Sequence, residues 1–216
     1  MAERSNESPF IGIAGNIGVG KTTFTEIVSE KMGWRAFYES VQDNPYLGDF
    51  YDDMHRWSFN LQIYFLHHRF RTHYEMTALS GGKIQDRTIY EDVEIFAKNL
   101  HEMGNMDVRD WQNYSNLFGV MMNYLKKPDL IIYLRATTDT LITRIGKRSR
   151  DFERSINPEY LHQLNISYDK WIASIHDIPT FTVETDGFDI FKDKNKLNTI
   201  IAEMMNIVND GNTGLR

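Results

Sequence analysis

Five short runs along this 216-residue chain, most of them apolar, have the length of buried strands: Phe10–Ala14, Trp34–Tyr38, Lys83–Asp86, Leu130–Leu134 and Thr180–Glu184. Between them lie segments long enough for helices, among them Thr22–Met32, Met54–Leu79, Val93–Leu100 and Val108–Leu125. Strand alternating with helix predicts an α/β chain whose five-stranded parallel sheet is surrounded by helices. No internal repeat or low-complexity linker interrupts the pattern, so residues 1–216 are expected to form a single domain, with residues 1–8 as a loose tail. In such a sheet ligands collect at the carboxyl ends of the strands. The residues that follow each run are therefore the ones to inspect.

The first run feeds directly into Gly15-Asn16-Ile17-Gly18-Val19-Gly20-Lys21-Thr22-Thr23, with the spacing G-x-x-x-x-G-K-T. Three glycines let the backbone curl so that its N–H groups face a phosphate chain. Lys21 supplies a positive charge, and the Thr22 hydroxyl can ligate Mg²⁺. The start of the next helix adds the positive end of its dipole to the same pocket. A glycine-rich turn can match this spacing by chance. An apolar strand before it and Gly-Lys-Thr-Thr after it argue instead for a P-loop that holds a nucleoside triphosphate.

Glu39 follows the second run. Alone, a glutamate at a strand end is a solvated group, but opposite a P-loop it can accept the proton of a phosphoryl acceptor. The third run ends in Asp86-Arg87-Thr88. These residues form either a surface ion pair or a working pair, with Asp86 near the metal and Arg87 bridging phosphate oxygens. After the fourth run comes a helix ending in a basic cluster of Arg144, Arg148 and Arg150. Such a run is commonly a solvated face. Here Arg144 and Arg148 stand four apart on one side of a helix, and Gly146 and Ser149 allow bending, which suits a lid over residues 144–155.

Composition narrows the partners. The net charge is −6, against a nucleic-acid polymer or an anionic membrane as the main partner. There is no cysteine, which excludes disulfides and Cys-zinc sites and is compatible with a reducing cytoplasm. The first residues lack the apolar core of a signal peptide, and no run is long enough for a membrane span.

Phe59, Gln62, Leu66 and Arg69 share one stripe of the helix predicted from Met54. A stripe facing a core should not carry Gln and Arg without partners, whereas a pocket reading a heteroaromatic ring would use them. His67 and His68 read as ordinary surface residues.

Taken together, the P-loop, Glu39-Ser40-Val41, Asn44-Pro45-Tyr46-Leu47, Phe50-Tyr51, Gln62, Arg69, Asp86-Arg87-Thr88 and the lid arginines resemble the deoxynucleoside kinase family over nearly the whole chain. The Asn44-Pro45-Tyr46-Leu47 and Phe50-Tyr51 pattern looks most like its bacterial deoxyadenosine/deoxyguanosine branch. Ser40 departs from the family's Glu-Pro-Val, a change not expected to disturb the glutamate. The resemblance implies a P-loop kinase fold with an arginine-rich lid, and ATP-dependent phosphorylation of a deoxynucleoside 5′-hydroxyl in cytoplasmic nucleotide salvage. It makes Glu39 the general base, steadied with the phosphate by Arg87. Tyr51 and Glu153 match holders of the 3′-hydroxyl, and Gln62 matches a base-binding glutamine. Arg69 and Asp92 match a charged pair lining the base pocket that disfavours thymidine. Arg144, Arg148 and Arg150 match arginines around the ATP phosphates, while the ATP adenine is expected near Phe188 or Phe191, neither assigned. Deoxyadenosine is the first expected substrate, then deoxyguanosine or deoxycytidine. A homodimer and feedback inhibition by a deoxynucleoside triphosphate are implied as well.

Two other readings share some of these parts. A thymidylate-type monophosphate kinase also has a P-loop, an Asp-Arg motif and a basic lid, but Tyr51, Glu153 and the Gln62, Arg69, Asp92 set fit an unphosphorylated sugar better. A P-loop ATPase switch is the second, and the lack of Asn-Lys-x-Asp argues against a GTPase.

Overall fold

The run Phe10–Gly15 forms β1, and all six of its residues are buried. It lies at the centre of a parallel sheet whose other strands are β2 (Arg35–Phe37), β3 (Lys83–Asp86), β4 (Leu130–Arg135) and β5 (Thr180–Glu184), in the order β2-β3-β1-β4-β5. The computed structural model describes residues 9–38, 44–148 and 156–213. The chain leaves β1 for the edge strand β2, returns to fill the gap with β3, then crosses β1 to β4. Ile13 pairs with Asp86 and Gly15 with Leu134, so the P-loop emerges beside the end of β3.

Period-two alternation sends β1 and β4 side chains to opposite faces. Ile11, Ile13, Leu130, Ile132 and Leu134 pack with α1 (Lys21–Met32) and α9 (Lys194–Thr213). Ala14, Ile131 and Tyr133 face the other layer. That layer holds α2 (Leu47–Asp52), α3 (Met54–Thr77), α6 (Val108–Met122) and α8 (Pro158–Ser174). Burying each large aliphatic group contributes about 1.5–3 kcal/mol, so both layers are anchored by the two central strands.

Helix α3 is 24 residues long and starts at an Asp53 side chain that accepts the Arg56 amide. Its buried face carries Ser58, Leu61, Gln62, Leu66, Arg69, His73 and Met76, at helical spacing. His73 is wholly buried and donates from Nε2 to the Lys126 carbonyl. Burial lowers its pKa to about 4, partly opposed by that hydrogen bond, so the ring stays neutral.

The helix expected at Val93–Leu100 begins earlier. Thr88 and Glu91 form a reciprocal capping box that starts α4 (Ile89–Glu91). The helix continues through a π-helical turn, Asp92–Ala97, into α5 (Lys98–Glu102). Helices α3 and α6 stop two and three residues short of expectation, β2 lacks Trp34 and Tyr38, and β1 and β4 each gain one residue. Helix α7 spans Thr138–Arg148 and so contains residues 144–148 of the expected lid.

Candidate active site

Gly15 has φ 147° and Gly20 φ 103°, where only glycine rests without strain. A Cβ at Gly15 would stand 2.6 Å from the Leu134 carbonyl oxygen, whereas one at Gly20 would point into open space. Gly20 is also the N-cap of α1, and no side chain caps that terminus, so its first amides are available to an anion. Lys21 Nζ donates to the Gly15 and Asn16 carbonyls at 2.7 and 3.0 Å. Asn16 ties the loop to α8, donating to the Leu161 carbonyl and to Asn165 Oδ1 while accepting the Ile17 amide.

The Thr22 hydroxyl donates to Asp86 Oδ2 at 2.6 Å. Asp86 Oδ1 is buried and accepts no hydrogen bond. A hydroxyl and a carboxylate oxygen short of a partner form a hard-oxygen pair that suits Mg²⁺.

A cavity of about 800 Å³ begins at Gly18–Thr23 and reaches Tyr51, Gln62, Phe65, Arg87, Asp92, Phe96 and Tyr160. On the other side of the P-loop it is lined by Arg144, Lys147, Arg148, Thr185, Phe188 and Phe191. Phe188 is buried beneath the Lys196 ammonium, whereas Phe191 is 69% exposed.

Away from the P-loop the cavity is shaped by side chains. Gln62 is buried with its Oε1 lacking a hydrogen bond, a vacant acceptor beside the cavity. Arg69 Nε donates to Asp92 Oδ2 at 2.6 Å, and both groups are almost fully buried. Arg69 Nη1 also reaches the Arg87 carbonyl at 3.2 Å. Arg69 thus stands behind the lining, and Asp92 faces the cavity. Arg87 has φ 69°, the one positive φ among the described non-glycine residues. Its amide is pinned to the Ile13 carbonyl, and its guanidinium lies 4.3 Å from the centre of the Phe96 ring.

The structure therefore brings Gly18 to Thr23, Tyr51, Gln62, Arg87, Asp92, Asp86, Arg144 and Arg148 to one cavity, with Arg69 supporting Asp92. Glu39, Arg150 and Glu153 lie outside the described residues, as does most of the expected lid. Arg144 lines the cavity beside the P-loop and also bonds the main chain around it. Its Nη1 donates to the Val19 carbonyl and Thr185 Oγ1, and its Nη2 to the Thr185 carbonyl at 2.6 Å. It thereby joins the P-loop to the segment after β5.

Two residues at the site are not evident from the sequence pattern. Tyr160 of α8 lines the cavity, and burial pushes its phenol pKa up, partly offset by Arg87, so it stays protonated. Glu91 is fully buried next to the P-loop. The Thr88-x-x-Glu91 spacing is a signal that could have found it, whereas Tyr160 has none.

Comparison with known proteins agrees with this geometry. Residues 11–209 match the family described as Deoxynucleoside kinase. The chain is 35% identical over 206 residues to the deoxyadenosine/deoxycytidine kinase of Bacillus subtilis, covering 94% of this chain and 95% of that one. It is 38% identical over 189 residues to the deoxyadenosine kinase of Dictyostelium discoideum, covering 87% and 77%. The structure of deoxyadenosine kinase from M. mycoides with bound dATP superposes with a TM-score of 0.80 at 33% identity, covering 91% of this chain and 98% of that one. These matches favour neither the monophosphate kinase nor the switch. With the P-loop, the Asp-Arg turn and the polar end pocket in one cavity, the chain belongs to the deoxynucleoside kinase family.

Proposed function

We propose that this deoxynucleoside kinase transfers the γ-phosphoryl group of ATP to the 5′-hydroxyl of deoxyadenosine, with deoxyguanosine or deoxycytidine as lesser acceptors. The observation that carries the reading is the shared cavity, with Lys21 and the P-loop amides at one end and Gln62 and Asp92 at the other. The P-loop amides and Lys21 hold the triphosphate. Glu39 accepts the 5′-hydroxyl proton, while Tyr51 and Glu153 hold the 3′-hydroxyl. Arg87, Arg148 and Arg150 offset the charge that spreads over the transferring group, so catalysis is mainly positioning and electrostatics. Arg144 is assigned a supporting role, keeping the P-loop against the segment after β5.

Thr22 and Asp86 would hold Mg²⁺, which when bound with the triphosphate supplies charge neutralisation. Mg²⁺ commonly keeps several waters and takes few protein ligands beside substrate phosphates, so phosphate and water oxygens would complete its shell.

The Asp92 carboxylate supports the base preference. A carboxylate accepts from the amino groups at N6 of adenine and N4 of cytosine, while thymine presents an acceptor at O4. Exposed Tyr74 on α3 and Leu117 and Val120 on α6 support a homodimer through these helices. The M. mycoides enzyme holds dATP. By analogy, feedback by dATP is part of this proposal, as is a place in cytoplasmic nucleotide salvage.

The test compares kcat/KM for deoxyadenosine, deoxyguanosine, deoxycytidine, thymidine and dTMP with ATP. A strong deoxyadenosine preference is expected. Activity confined to dTMP would overturn the reading.

A further inference from the structure

We propose that Glu91 is a positioning residue for the phosphate end of the site, holding Gly15 and, through it, the Lys21 ammonium. Glu91 is 0% exposed, and its four hydrogen bonds come from neutral donors. Oε2 accepts the Thr88 amide at 2.7 Å and the Thr88 hydroxyl at 3.2 Å, which completes the cap of the Asp86-Arg87-Thr88 turn. Oε1 accepts the Tyr168 hydroxyl of α8 at 2.7 Å and the Gly15 amide at 3.2 Å. A helix cap needs only the first oxygen and can work exposed. Burying the whole carboxylate is costly, and the second oxygen spends that burial on the P-loop.

Gly15 is where β1 turns into the loop, at φ 147°. Its amide is fixed by Glu91 and its carbonyl accepts Lys21 Nζ at 2.7 Å. The two groups belong to different peptide units, so the link is geometric: with both sides of the Gly15 Cα held, the position of the ammonium is held too. The same carboxylate thereby ties together three parts of the site that are far apart in sequence: the P-loop, the Arg87 turn and α8.

Replacing Glu91 with Gln keeps the shape and removes one acceptor. Whichever way the amide is turned, its NH₂ opposes a donor pair. Both hydroxyls, of Tyr168 and of Thr88, can reverse and accept, whereas the Thr88 and Gly15 amides cannot. The favoured orientation keeps the shorter amide bond, from Thr88 at 2.7 Å, and leaves the Gly15 amide, at 3.2 Å, facing a donor. The damage therefore falls on the phosphate end.

The role rests on the kinase reading, and two measurements separate them: steady-state kinetics, and calorimetric binding of a non-hydrolysable ATP analogue without acceptor. Glu91→Gln is expected to raise KM for ATP and Kd for the analogue about tenfold, with KM for deoxyadenosine within about twofold of wild type. Tyr168→Phe, which leaves the Gly15 bond intact, should change neither by more than about twofold. If wild type phosphorylates no deoxynucleoside the kinase reading falls, while the analogue affinity still decides the role of Glu91. If Glu91→Gln does not fold, Glu91→Asp carries the test, since its shorter side chain cannot serve Thr88 and Gly15 together. A folded variant with wild-type ATP KM and analogue Kd overturns the proposal. Failure of both variants to fold also overturns it, assigning the carboxylate to folding alone.

Discussion

The two ends of the cavity are built on different principles. The phosphate end is main chain: one contiguous stretch, Gly15–Thr23, presents amides, and its conformation depends on glycine φ values. The base end is side chain: Tyr51 from α2, Gln62 from α3, Asp92 and Phe96 from the π-helical turn, and Tyr160 from α8. Triphosphates are alike from one nucleotide to the next, so backbone amides with a few cationic side chains, none of them selective for a base, are enough to bind them. Bases differ in where they donate and accept, so reading them takes buried polar groups, each needing a partner. Asp92 has Arg69 for that purpose, and the pair costs the protein stability unless it stays complete.

The largest expected effect belongs to the residue proposed as proton acceptor, which is assigned to neither end. Glu39→Gln should lower kcat about 10²–10⁴-fold with little change in either KM, since it removes the proton acceptor and leaves both ends intact. Wild-type kcat in that variant would end the role of Glu39. At the base end, Asp92→Ala strands the buried Arg69 guanidinium and should cost about 3–5 kcal/mol in urea unfolding. Arg69→Val with Asp92→Ala removes both charges. It should recover much of that loss and shift kcat/KM toward thymidine, with ATP KM unchanged. An unaltered ratio of kcat/KM values would show that the pair does not read the base. The smallest effect is expected from Arg144→Ala, which breaks the bonds to the Val19 and Thr185 carbonyls. ATP KM should rise about tenfold or less with base preference intact. A changed base preference would mean that the two ends are not separable in this way.

The same division decides what the sequence discloses. The phosphate end is local, so its glycine spacing is legible in the amino-acid order alone. Runs with their own signal, Lys83–Asp86 and Thr180–Glu184, match the observed strands to the residue. The α3 stripe places Gln62 and Arg69 on one buried face, because Gln and Arg at helical spacing stand out among Leu and Phe. Their partners are less accessible. That Arg69 pairs with Asp92 is implied only by the family resemblance, since 23 residues separate them in sequence. The Arg144 contacts are with carbonyls, which every residue has, so no pattern of side chains announces them. The π-helical turn carries no signal of its own in composition and reads as ordinary helix. Its helix starts earlier than the apolar pattern indicates, because the start is set by the capping box rather than by apolar residues.

Arg87 sits in a backbone conformation that glycine or asparagine would occupy more comfortably, by roughly 1–2 kcal/mol. The guanidinium lines the cavity, and the role proposed for it in phosphoryl transfer is what would keep arginine there. A library of variants at this position, sorted only for resistance to heat, would thus drift toward residues that have no guanidinium. Sorting the same library for growth that depends on phosphorylating a supplied deoxynucleoside would pull it back. Position 87 is a point at which durability and usefulness are selected in opposite directions, and a protein engineer hardening this enzyme should leave it alone.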